Sequence, residues 1–209
     1  MSDFPGALSQ LPLIAILRGV GPEEVGAIGE VLVEAGFRAV EVPLNSPRPF
    51  DSIRTLAQAF GDEVLVGAGT VLAADDVARV ADAGGRLVVM PHGDRAIVEA
   101  TKRLGLISVP GVATVTEAFA ALAAGADALK LFPAEALPPA VVKAWRAVLP
   151  KELWLLPVGG ISPDSFGPYL ATGADGFGIG SALYKPGLGA AEVGARAQCF
   201  AAAYEEAIR

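Results

Sequence analysis

Eight short apolar runs, each followed by an amphipathic stretch, constrain this chain more than any other feature. They are Leu13–Leu17, Ala39–Pro43, Val64–Ala68, Leu87–Met90, Ile107–Pro110, Ala128–Phe132, Trp154–Val158 and Gly176–Ile179. All are aliphatic or β-branched and too short for helices, so they read as strands apolar on both faces. The stretches between them open on helix-start signals: Gly21-Pro22-Glu23-Glu24, Ser46-Pro47, Ala74-Asp75-Asp76, Thr114-Val115-Thr116-Glu117 and Ser162-Pro163-Asp164. Each supplies a cap, a first-turn proline or acidic residues facing the helix dipole. Several close on glycine, at Gly36, Gly61, Gly84, Gly105, Gly125 and Gly173. Eight strands, each trailed by a helix at about 20–25 residues per unit, is the arithmetic of a (β/α)8 TIM barrel. A doubly wound open sheet competes, but the turn Arg18-Gly19-Val20-Gly21 lacks the full dinucleotide fingerprint and a flavodoxin-like sheet uses fewer strands. The expectation is an α/β barrel forming one domain over residues 1–209, with a short helix in residues 1–10 beneath its floor.

Charge and composition narrow the chemistry. A net charge of −7 and the lack of a basic run argue against nucleic acid as a partner. Hydrophobic residues make up 53% of the chain, yet no stretch reaches the ~18 apolar residues of a membrane span, so no membrane partner is expected. Part of that excess fits an oligomer interface. The N-terminus shows no basic segment leading into an apolar core, so no secretory signal is expected, and a cytoplasmic location follows. One cysteine (Cys199) and one histidine (His92) leave no metal constellation and no disulfide within the chain. His92, after Pro91, reads as a surface loop residue before it reads as a base.

Two charged residues stand inside apolar runs. Lys130 lies in Ala128-Leu129-Lys130-Leu131-Phe132, and Glu41 in Ala39-Val40-Glu41-Val42-Pro43. Side chains alternate along a strand, so if Leu129, Leu131, Val40 and Val42 meet the helices, Lys130 and Glu41 face the lumen together. Burying an unpaired ammonium costs several kcal/mol, roughly, unless it gives up its proton, and a neutral amine is what attack on a carbonyl requires. The alternatives are a lysine that snorkels to water and a Lys–Glu pair that only satisfies its own charges.

The strand ends supply the rest of a site. Gly159-Gly160 and Gly180-Ser181 follow the seventh and eighth runs, where this fold binds phosphate, and Ser181 is expected to start a short helix facing an anion. Arg18, after the first run, is a fork for a carboxylate, or a surface ion-pair partner. Thr70, ending Gly67-Ala68-Gly69-Thr70, and Asn45 with Ser46 offer neutral hydrogen-bonding groups, or cap the next helix. No cofactor fold and no metal ligands accompany them.

Taken together, Leu13–Gly19, Val40–Pro47, Gly67–Leu72, Pro110-Gly111, Leu129–Ala134, Pro157–Pro163 and Gly180-Ser181 resemble the class I aldolases that cleave 2-keto-3-deoxy-6-phospho sugar acids. The resemblance runs over essentially the whole chain. It implies a (β/α)8 homotrimer acting on a small phosphorylated keto sugar acid without a cofactor, in Entner–Doudoroff-type breakdown. Lys130 would be the Schiff-base lysine and Glu41 the general acid/base. Thr70 and Arg18 would hold the carboxylate end, Pro91 would line the pyruvyl end, and Gly159, Gly160, Gly180 and Ser181 would hold the phosphate. Gluconate-type members tend to carry Leu-Arg-Thr after the glutamate and Pro-Thr-Gly-Gly at the seventh strand. This chain has Leu44-Asn45-Ser46 and Pro157-Val158-Gly159-Gly160, which is similar to the galactonate-type branch. A phosphosugar isomerase or epimerase, or a phosphosugar-binding barrel without chemistry, are the readings from other classes.

Overall fold

The computed structural model describes residues 4–209. Among the described residues nine strands form: β1 (Leu13–Ile16), β2 (Ala39–Pro43), β3 (Leu65–Gly69), β4 (Leu87–Val89), β5 (Ile107–Val109), β6 (Gly111–Val112), β7 (Ala128–Leu131), β8 (Trp154–Pro157) and β9 (Phe177–Ile179). Nine α-helices accompany them among the same described residues: α1 (Phe4–Ala7), α2 (Val25–Glu34), α3 (Pro49–Phe60), α4 (Asp75–Asp82), α5 (Arg95–Arg103), α6 (Val115–Ala123), α7 (Pro139–Arg146), α8 (Phe166–Leu170) and α9 (Ala190–Ala207). Every strand pairing is parallel. One sheet has the order β5-β4-β3-β2-β1-β9 and the other β6-β7-β8.

Nine strands where eight were expected come from a single break. Pro110 has no N–H to donate, so the fifth run divides into β5 and β6 around it. The Pro110 carbonyl still accepts from Lys130 N at 2.9 Å. On the other side of the small sheet, Val158 and Gly178 form a parallel bridge between the ends of β8 and β9.

Strand alternation sorts the core into two clusters. Leu13, Ala15, Val40, Val42, Val66, Val88, Leu129 and Leu131 pack outward against the helices. Ile14, Ala39, Leu65, Leu87, Ile107, Ala128 and Leu156 share a second, inner cluster with Phe4 and Leu8 from the N-terminal segment. Phe4 meets Trp154 edge-on at 5.6 Å, which seats α1 across the N-terminal ends of the strands. The short helix expected in residues 1–10 is α1; residues 1–3 lie outside the described residues.

Helix starts follow their caps with one displacement. Thr114 and Glu117 form a capping box on α6, and Asp94 caps α5 by accepting from Ile97 N at 3.0 Å. The Ser46-Pro47 signal does not start α3: Arg48 turns left-handed at φ 43°, and the helix opens at Pro49. The six glycines expected to close helices all have positive φ, as a left-handed stop requires.

Candidate active site

Among the described residues, Glu41 and Lys130 carry the only charges found in any strand. Both are buried, at 2% and 6% exposure, on the inner face shared with Ala39 and Ala128. Neither joins an ion pair among the described residues, and Glu41 Oε2 has no hydrogen-bond partner. A pair of charges that existed only to satisfy each other would meet. No nitrogen–oxygen contact within 4 Å joins these two, although each feels the other's charge.

Burial dominates the protonation of both groups. It pushes the Glu41 carboxyl up to about 7, although the Lys130 and Arg18 cations pull it down. It also draws the Lys130 amine below the usual lysine range, with Glu41 opposing and Arg18 assisting. The tension between a carboxylate neighbour and an apolar surrounding is therefore won by the surrounding. The amine Nζ lies 4.6 Å from the Phe132 ring centre, and Phe132 is the next inward position along the same strand direction.

The β3 sequence makes room for the carboxyl. A methyl group at Gly69 would lie 1.4 Å from Glu41 Oε2, so only a hydrogen fits there. Pro43 and Gly69 are register partners, and the Glu41 side chain leans along β2 across that bare glycine.

The ends of β1, β2 and β3 converge on Arg18. Its guanidinium donates to Asn45 Oδ1 at 2.6 Å and to Thr70 Oγ1 at 3.2 Å. Thr70 holds a left-handed φ of 53°, a strained conformation for a β-branched residue and one that commonly marks a site. Ser46 is buried and accepts from Gly19 N at 2.9 Å. The guanidinium is thus an exposed fork aimed by two acceptors, and its charge is felt by both Glu41 and Lys130.

The glycine pairs sit side by side, because Val158 and Gly178 bridge just before them. Gly159 and Gly160 take φ of 104° and 64°, conformations that a side chain would strain. Ser181 is exposed and lies in a turn, with Leu183 N and Tyr184 N both donating to the Gly180 carbonyl. The helix expected to start at Ser181 is thus a single turn, because the chain leaves it to bury Leu183 and Tyr184. Val158 is 7% exposed with its methyls towards Gly178. Pro91 is half-buried against Gly111, and His92 beside it is exposed. The Glu135 carboxylate, which sequence reading passed over, lies against the Gly159-Gly160 turn. The only signal for it was its place shortly after the lysine strand.

Fold and site together define a parallel α/β protein with a buried amine and a buried carboxylic acid on one inner face. Residues 6–199 match the KDPG and KHG aldolase family, and the chain belongs to that family. It is 48% identical over 205 residues to a probable 2-dehydro-3-deoxy-6-phosphogalactonate aldolase of Rhizobium meliloti (strain 1021), covering 98% of this chain and 97% of the relative. It is 43% identical over 201 residues to the 2-dehydro-3-deoxy-6-phosphogalactonate aldolase of Escherichia coli (strain K12), covering 96% and 98%. A solved structure described as native KDPGal superposes with a TM-score of 0.93 at 43% identity, covering 95% of this chain and 97% of the other.

Proposed function

We propose that this chain is a class I aldolase that cleaves 2-dehydro-3-deoxy-6-phosphogalactonate to pyruvate and D-glyceraldehyde 3-phosphate. The observation that carries the reading is the buried, unpaired couple of Lys130 and Glu41 on one inner face. Burial draws the amine towards its neutral, nucleophilic form and holds the acid at about 7, where it can both take and return a proton near neutral pH. The Lys130 nitrogen attacks the C2 ketone. The carbinolamine hydroxyl then takes up a proton from solvent and departs as water, which leaves a protonated imine, and that proton returns to solvent when the imine is finally hydrolysed. That imine draws electrons from the C3–C4 bond. Glu41 takes the proton of the C4 hydroxyl, the bond breaks, and the aldehyde departs. The remaining enamine is protonated at C3 by the proton now on Glu41. Water then releases pyruvate and restores the amine.

The strand ends supply the binding roles. Arg18, aimed by Asn45 and Thr70, takes the substrate carboxylate in its fork. Pro91 lines the pyruvyl end, and Gly159, Gly160, Gly180 and Ser181 receive the phosphate with backbone N–H groups and a hydroxyl. The galactonate epimer is favoured because Val158 and Asn45 offer no Thr hydroxyl or Arg to its gluconate counterpart. The names of the two relatives at 48% and 43% identity support the same choice.

The same proposal reads the strands as one domain with a closed (β/α)8 ring. Its seams are the Pro110 break and the Val158–Gly178 bridge. The family resemblance is what supports a homotrimer, and large apolar side chains left on the surface, among them Leu72 at 61% and Ile208 at 59% exposure, leave room for a subunit contact. No helix among the described residues is long and apolar enough to cross a membrane. We infer work in the cytoplasm, where charged sugar phosphates are retained.

Borohydride reduction in the presence of pyruvate tests the nucleophile. A single lactyl-type adduct on Lys130 is expected. An adduct on Lys102, Lys143 or Lys151, or none, would overturn the Schiff-base assignment.

A further inference from the structure

The Gly180–Ser181 turn and the Arg18 loop are joined by a part-buried clasp between them. Tyr184, only 2% exposed, donates its phenol to Glu24 Oε1 at 3.0 Å. The same oxygen accepts from Gly21 N at 3.1 Å. Tyr184 N donates to the Gly180 carbonyl at 3.1 Å, so the ring is tied to the backbone that carries Ser181. Gly21 follows Arg18 closely in the chain, and Gly19 between them is fixed to Ser46. The two loops also touch at a second place, where a methyl on Gly19 would lie 2.6 Å from Pro186 Cγ.

A buried phenol needs an acceptor, but a backbone carbonyl would serve. Here the acceptor is a carboxylate on the opposite loop, and it makes the stronger, charge-assisted and directional bond. Burial, and then the bond to Glu24, push the phenol well above the usual tyrosine range, so it remains a donor wherever the protein is folded. Leu183, fully buried beside it, already supplies the apolar anchor for the turn. The polar clasp adds a fixed register between two loops rather than mere cohesion.

We propose that Tyr184 and Glu24 are positioning residues that set the span between the Ser181 turn and the Arg18 fork, and thereby select substrates by the distance from carboxylate to phosphate. This rests on the assignment of those two loops to the two ends of the substrate. Neither residue touches the reacting atoms. The clasp acts through the turn, because the Arg18 side keeps its own anchors to Asn45, Thr70 and Ser46.

Steady-state cleavage of 2-dehydro-3-deoxy-6-phosphogalactonate, with deuterium exchange into pyruvate measured in parallel, tests the clasp. Tyr184→Phe should raise KM for the phosphorylated acid about threefold to tenfold, the worth of one hydrogen bond, while kcat and pyruvate exchange hold. Glu24→Gln keeps an acceptor oxygen but loses the charge assistance, so its KM should lie between those of wild type and Tyr184→Phe. Glu24→Ala should reproduce the KM defect, and adding Tyr184→Phe to it should add nothing further. An unchanged KM in folded Tyr184→Phe would overturn the clasp. So would equal losses in cleavage and in pyruvate exchange, which would indicate general loosening. A wild type indifferent to the phosphate would instead overturn the assignment of the turn, and the span proposal with it.

Discussion

Glu41→Gln replaces the buried carboxyl by a group of the same shape that never ionises. Burial holds this carboxyl at about 7 in the folded protein, against an ordinary value of 4.5. At about 1.4 kcal/mol for each tenfold change in proton affinity, ionising it costs the folded state ~3 kcal/mol relative to the unfolded chain. The sign follows from which state holds the proton. Between pH 4.5 and 7 the folded protein keeps a proton that the unfolded chain has released, so stability falls as pH rises through this window and levels off above it. Lys130 acts in the opposite sense at higher pH. Its folded amine loses its proton early, so stability is regained between that lowered value and 10.5. At low pH Lys130 faces a neutral neighbour in both proteins, which gives them a common baseline. Urea unfolding at pH 5, 6, 7 and 8 should therefore show the variant gaining on wild type by about 2–3 kcal/mol across the series, since part of the change lies below pH 5. Catalysis should show the converse. Wild-type kcat/KM should rise with pH along a limb centred near 7 as Glu41 ionises, and the variant should lose that limb. Its turnover should fall by roughly 10²–10⁴ while the pyruvate imine still forms. A stability gap that stays constant from pH 5 to 8 would refute the claim that burial sets the protonation of Glu41.

Gly69→Ala would place a methyl 1.4 Å from Glu41 Oε2, so the carboxyl must swing away. Turnover should drop by at least about 10²-fold with circular dichroism unchanged, and near-normal turnover would show that the carboxyl position is not needed. Val158→Thr adds a hydroxyl at a buried position with little change in shape. It should shift the ratio of catalytic efficiencies towards the gluconate epimer by about tenfold, measured by coupling pyruvate release to lactate dehydrogenase. A wild type that already prefers the gluconate epimer would refute the substrate assignment and leave the aldol chemistry standing.

Lys130 and Glu41 were legible in the sequence because each is the lone charge in an apolar run, and strand alternation alone says which way such a residue points. The outward packing of Leu129, Leu131, Val40 and Val42 bears this out. The parallel α/β architecture was legible for the same reason, since period and spacing are local properties. Features that depend on how loops meet were not. Nothing in Gly67-Ala68-Gly69-Thr70 announces that the third residue clears space for a carboxyl from the neighbouring strand. Nor does Arg18 reveal that Asn45 and Thr70 aim it, since they are 27 and 52 positions away. Arg48 adopts a left-handed conformation that its residue type disfavours, so the start of α3 moved to Pro49. The clasp between Tyr184 and Glu24 joins residues 160 positions apart and leaves no local trace.

Phe4 and Leu8 fill the inner face at one end, beneath Ala39, Leu65, Leu87 and Ala128. That plug covers one end of the inner face, so the strand ends that carry Arg18 and the glycine pairs are the open side under the proposed reaction. Under the proposed reaction, substrate enters and both products depart past the same loops, with the pyruvyl fragment bonded to Lys130 deepest inside. The phosphorylated aldehyde stands between that fragment and the exit, so it leaves first and pyruvate follows. In the synthetic direction the queue reverses: pyruvate must be seated before the aldehyde arrives, and an aldehyde that enters first blocks its own partner. Under that reaction the order of traffic follows from an N-terminal segment packed at the opposite end of the strands from the chemistry.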